Sequence, residues 1–101
     1  VGETGGKDFV VAHASADPVA VATALARGAF EYQGQKCSAA SRAYIPENIW
    51  PAAKKELLAD RAAMKMGDPR DFKNFIGAVI DEKAFDKITA YIDGLKKDKK
   101  K

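Results

Sequence analysis

An α/β architecture built around a mostly parallel sheet is the fold this sequence predicts. Short apolar runs rich in β-branched residues alternate with longer stretches of helical periodicity. Their order is strand, helix, strand, helix, strand, helix, which favours parallel strands joined by helical crossovers. No internal repeat or long linker divides the 101 residues, so they form a single segment.

The first element follows the glycine-rich turn Gly2 to Gly6. Phe9-Val10-Val11-Ala12 reads as a buried strand. Asp17-Pro18 then supplies an N-cap and a proline at the first helical position. Val19, Ala22, Ala26, Ala29 and Phe30 recur at helical spacing along a small-sided face, with the end expected near Tyr32 because Gly34 follows. Arg42-Ala43-Tyr44-Ile45 alternates as a strand would, and Pro46 stops it. A second helix is expected from about Ile49 to Met66, with Ile49, Ala53 and Leu57 on one face and Gly67-Asp68-Pro69 ending it. Ile76 to Ile80 is a third, short strand candidate. Asp81 caps a third helix whose Phe85, Ile88, Ile92 and Leu95 form a stripe. Three strands make a thin sheet, and parallel sheets normally need both faces covered.

Composition narrows the class of protein. Apolar residues at 47% and charged residues at 31% exclude disordered and collagen-like chains. No apolar run approaches the roughly 20 residues of a membrane span, so no membrane partner is expected. One cysteine forbids an internal disulfide, and no Cys/His cluster offers a metal site. The net charge of +3 rests on Lys96, Lys97, Lys99, Lys100 and Lys101, a tail without the aromatic or groove-reading elements of a nucleic-acid site. No nucleic-acid partner is expected, and the tail reads as a solvated helix end. The chain opens without an initiator methionine and closes inside a helical pattern, which suggests a piece of a longer polypeptide.

Two residues are candidates for chemistry. Cys37 lies in the polar turn Gln33-Gly34-Gln35-Lys36-Cys37-Ser38 and not on an apolar face. A cysteine is often only a small buried hydrophobe. Here the adjacent Lys36 places a cation where it favours a thiolate, the nucleophilic form. The sole histidine, His13, ends the first strand far from Cys37 in sequence, and reads better as a solvated or packed residue than as a base. Glu3 is the second candidate. Alone it is an ordinary turn residue, yet the glycines around it permit close backbone approach in a site loop.

Together, Gly2-Glu3-Thr4-Gly5-Gly6-Lys7 and Gly34-Gln35-Lys36-Cys37 resemble the aldehyde dehydrogenase superfamily. That family carries a Glu-Leu-Gly-Gly-Lys motif and, one strand and one helix later, Gly-Gln-x-Cys. Met66-Gly67-Asp68-Pro69 is similar to the family's Gly-Asp-Pro turn, and Gly77-Ala78-Val79-Ile80 takes the place of its Gly-Pro-Leu/Val-Ile stretch. The resemblance covers the whole chain, so residues 1–101 look like part of the family's catalytic domain. Thr4, Phe30-Glu31-Tyr32, Gln35-Lys36-Cys37-Ser38-Ala39 and Ser41-Arg42 look most like the branch that oxidises glutamate γ-semialdehyde.

The resemblance implies an NAD-dependent oxidoreductase in which Cys37 attacks the aldehyde and Glu3 is the general base for thioester hydrolysis. It assigns Lys36 and Ser38 to the substrate carboxylate and backbone near Thr4 to the cofactor. The Cys37 amide would donate to the oxyanion, while the second donor, an Asn, would lie upstream. The cofactor-binding and oligomerisation parts would lie outside residues 1–101, leaving the isolated piece inactive and the parent a homo-oligomer. The same likeness implies the mitochondrial matrix in a eukaryote and the cytoplasm otherwise; a lone free thiol fits either. Other readings stay open: a different aldehyde, a non-catalytic truncated piece, a thiol redox or acyl-transfer protein, or a module binding an acidic partner through the lysine tail.

Overall fold

In the computed structural model, residues 1–98 are described, and the chain runs strand, helix, strand, helix, helix, the two strands being parallel. Strand β1 spans Asp8–Val11 and helix α1 spans Pro18–Phe30. Strand β2 (Ala40–Tyr44), helix α2 (Trp50–Ala63) and helix α3 (Glu82–Lys97) follow. β1 and β2 pair in parallel with Phe9 opposite Arg42, Val10 opposite Ala43 and Val11 opposite Tyr44. The Ala12 amide extends the pairing by donating to the Tyr44 carbonyl at 3.0 Å. A parallel pair requires a crossover, and α1 supplies it.

The Asp17 carboxylate accepts from the Ala20 N–H at 2.8 Å, and Pro18 costs nothing where no intrahelical bond is made. The small side chains of α1 let it approach α2 closely. Val21, Ala22, Leu25 and Ala26 are buried on α1, and Ile49 and Ala53 are buried at the start of α2. Val10, Ala12 and Ile45 pack against this cluster. Alternation along the strands turns the next residues to the opposite face. There Phe9, Val11 and Tyr44 remain exposed, with Phe9 and Tyr44 edge to face at 6.2 Å between ring centres. One face of the sheet is therefore covered and the other is bare.

Several expectations are corrected. The run Ile76 to Ile80 is not a strand: only one parallel bridge forms, between Met66 and Ile76. A strand needs a neighbour offering a ladder of backbone groups, and here side-chain amides take the backbone of residues 77–80 instead. α1 stops at Phe30, two residues before the expected end, and turns left-handed over Tyr32, Gln33 and Gly34. α2 starts at Trp50 close to the expected place, with no side-chain cap, but ends at Ala63 and not Met66 because Met64 is extended (φ −66°, ψ 123°). The strands begin earlier than their apolar residues suggest, at Asp8 and Ala40.

α3 has the expected start, the Asp81 carboxylate accepting from the Ala84 N–H at 2.8 Å. Its last turn carries Lys96 and Lys97, the favourable end of the helix dipole for cations. Lys99 to Lys101 of the basic tail lie outside the described residues. No helix among the described residues is long and apolar enough to cross a membrane.

Candidate active site

The parallel register brings the two sequence motifs together. Gly6 precedes β1 and Cys37 precedes β2, so both lie at the N-terminal edge of the sheet. A side chain at Gly6 would run into the Cys37 carbonyl, its carbonyl carbon being 2.8 Å from the Cβ position. Only glycine fits this approach. The loop bearing Glu3 and the loop bearing Cys37 thus meet across their backbones, although 30 residues of strand, helix and turn separate Gly6 from Cys37.

Cys37 occupies a turn closed by the Ala39 N–H donating to the Lys36 carbonyl at 3.1 Å. The thiol is free and exposed, and Ser38 beside it is also exposed. Glu3 is exposed and folds back on its own loop, its Oε1 accepting from the Gly5 N–H at 3.1 Å. Thr4 is exposed between them. All five predicted residues therefore sit in two adjoining, solvent-open loops.

Lys36, the residue before Cys37, is engaged on the α1 side of the turn. Its Nζ donates to Glu31 Oε2 at 2.9 Å, while Arg27 Nη2 donates to Glu31 Oε1 at 3.0 Å. Hydrogen bonds from Lys36 and then Arg27, reinforced by their charges, hold the Glu31 carboxyl below its usual range. Glu31 is a site residue the sequence reading missed as a partner of Lys36. The i, i+4 spacing from Arg27 was the available signal.

His13 lies beyond the opposite end of β1. Four strand residues at about 3.3 Å each span roughly 13 Å, and the ring Nδ1 there accepts from the Ser15 N–H at 3.2 Å. It serves its own turn and cannot act as base for Cys37.

The connection from β1 to α1, residues 12–17, contains no glycine. Asp17 also places a carboxylate on the first-turn amides of α1. A pyrophosphate needs those amides free and the charge absent, so these residues do not fit the phosphates of a dinucleotide. The Glu3–Gly6 loop beside Cys37 is open to solvent.

The profile described as the aldehyde dehydrogenase family matches residues 1–101. A mitochondrial delta-1-pyrroline-5-carboxylate dehydrogenase from Dictyostelium discoideum is 53% identical over 96 residues, 95% of this chain and 17% of that protein. A crystal structure of the delta-pyrroline-5-carboxylate dehydrogenase of Mycobacterium tuberculosis superposes with a TM-score of 0.90 at 56% identity. It covers 98% of this chain and 18% of that one. The same enzyme bound with NAD gives 0.88 at 57% identity, over 95% of this chain and 18% of that one.

Proposed function

The chain belongs to the aldehyde dehydrogenase family, and from that premise we propose that it carries the nucleophile and the general base of an NAD-dependent glutamate γ-semialdehyde dehydrogenase. The observation that supports this reading is the close approach of Gly6 to Cys37, which sets Glu3 and the thiol in adjoining loops. The substrate class is taken from the relatives, which act as delta-1-pyrroline-5-carboxylate dehydrogenases by name.

In this mechanism the Cys37 thiolate adds to the aldehyde carbon and forms a thiohemiacetal, with the Cys37 N–H donating to the new oxyanion. The chemistry NAD supplies when bound is acceptance of a hydride from that carbon. Glu3 removes a proton from the water that hydrolyses the resulting thioester, releasing glutamate and the free thiol. Gly5 holds the Glu3 carboxylate by one oxygen, leaving the other for water. Lys36 has three N–H donors and gives one to Glu31, so the substrate's α-carboxylate can share the ammonium. Ser38 adds a hydroxyl on the same turn, and backbone near Thr4 would hold the nicotinamide end of the cofactor. The whole protein is a homo-oligomer, mitochondrial in a eukaryote and cytoplasmic in a bacterium.

The test is NADH formation from the semialdehyde by the full-length protein. Cys37→Ser abolishes it, and retained turnover in that variant defeats the assignment. Glu3→Ala keeps the first-turnover burst of NADH while acyl-enzyme accumulates. A normal steady-state rate without acyl-enzyme removes Glu3 as the base.

A further inference from the structure

The turn that delivers Cys37 is held in an unfavourable conformation. Tyr32 and Gln33 have φ of 53° and 60°, the positive-φ non-glycine residues among those described, and Gly34 follows at 70°. In the left-handed region Cβ crowds the backbone carbonyl, so consecutive L-residues stay there only when their surroundings hold them.

Gln33 supplies much of that hold itself. Its Oε1 accepts from the Gly77 N–H at 3.1 Å, and its Nε2 donates to the Ala78 carbonyl at 2.9 Å. One side-chain amide thus stands in for a neighbouring strand. Gln35 adds a second tie, its Oε1 accepting from the Ile80 N–H at 2.8 Å. On the other side, Glu31 binds the turn back to Arg27 and forward to Lys36.

We infer that Gln33 is a positioning residue, whose two-sided pairing with Gly77 and Ala78 holds the left-handed turn and so sets the Cys37 thiol against the Gly6 loop. The inference rests on Cys37 being the nucleophile, as proposed above. Gln33 touches no reacting atom; it acts through the backbone that leads to Cys37.

The test uses Gln33→Glu in the full-length protein, with Gln35→Glu as its comparison. A carboxylate at position 33 keeps the acceptor for Gly77 but presents no donor to the Ala78 carbonyl. A carboxylate at position 35 keeps the acceptor for Ile80 and gives up only the longer donation from Nε2 to the Tyr32 carbonyl, 3.4 Å. Expected for Gln33→Glu is a kcat roughly 10- to 100-fold lower, as displacement of a reacting group by about 1 Å produces, with KM for NAD unchanged. Gln35→Glu retains most of its turnover, and an equal loss there would make added charge, or the loss of any one tie on the turn, the cause and overturn the inference.

Alkylation of Cys37 by iodoacetamide gives a readout that general destabilisation does not move. The rate for Gln33→Glu, as a ratio to wild type, rises as pH falls and the introduced carboxyl becomes protonated and able to donate. A ratio flat with pH overturns the inference. If Gln33→Glu is insoluble, Gln33→Met, unbranched and of similar length, carries the test, and wild-type kcat in it overturns the inference. Cys37→Ser runs alongside. If it is active, the nucleophile reading falls. If it is inactive while Gln33→Glu and Gln33→Met turn over normally, the positioning role alone is lost.

Discussion

Helices α1 and α3 start with the same device, an aspartate carboxylate accepting from the N–H three residues on. Yet α1 buries four residues and α3 buries none. The stripe on α3 is made of larger side chains: Phe85, Ile88, Ile92 and Leu95 are between 45% and 59% exposed. Apolar size therefore did not decide burial. α1 crosses between two paired strands, so chain connectivity presses it against the sheet and against α2. α3 follows a loop tied by side-chain amides and meets no facing layer among the described residues. The same contrast appears in the whole molecule, whose surface of 8371 Å² exceeds the roughly 5,600 Å² typical of a folded chain of this mass. Its radius of gyration of 15.2 Å likewise exceeds the about 13 Å typical of 100 residues.

The largest expected effect that tests this contrast is at the buried face of α1. Leu25→Ala should destabilise by about 2–5 kcal/mol, because the cavity sits between α1 and α2. Urea denaturation measures it, and a loss below about 0.5 kcal/mol would place Leu25 with the surface residues. Ala22→Leu comes next, at about 1–3 kcal/mol, since a fully buried alanine has no room for three more carbons. Removing either cap, Asp17→Ala or Asp81→Ala, should cost about 1 kcal/mol of helix stability. Amide exchange separates the two: the first loss spreads through the α1–α2 core, while the second stays within the first turns of α3. Ile92→Ala on α3 should change stability by no more than about 0.5 kcal/mol. A cost equal to that of Leu25→Ala would mean the α3 face is covered in solution and the contrast is lost.

The smallest effect is a pH dependence. Lys36 and Arg27 hold the folded-state Glu31 carboxyl below its unfolded value. The stabilisation is complete above the usual glutamate range and fades as pH falls through the depressed value. Because the group is exposed, salt screens the effect. Glu31→Gln should flatten that part of the acid-unfolding profile, and an unchanged profile would show that the pairs contribute nothing measurable.

Much of the candidate site was legible because its chemistry is written in residue types. Cys37 beside Lys36 and Glu3 among glycines stand out in the sequence alone. The helix starts at Asp17-Pro18 and Asp81 were equally plain, because capping is a local interaction. Ile76 to Ile80 misled for the opposite reason. An apolar run is a strand only when another strand lies beside it, and periodicity does not say whether one does. The left-handed turn was hidden as well, since Tyr32 and Gln33 have no intrinsic liking for positive φ and only Gly34 hinted at it. Gln33 looked like a polar loop residue because its partners, Gly77 and Ala78, lie more than 40 positions away.

The sequence by itself determined the order of helices, the caps of α1 and α3, the βαβ start and the two loops that carry the candidate residues. Those features depend on propensities and contacts a few residues long. Only the tertiary structure decided that Gly6 meets Cys37, that Lys36 is paired with Glu31, and that α3 leaves its apolar face half-exposed. Contacts of that kind follow from strand register and from which layers exist to pack against, and neither is encoded in any local stretch of chain.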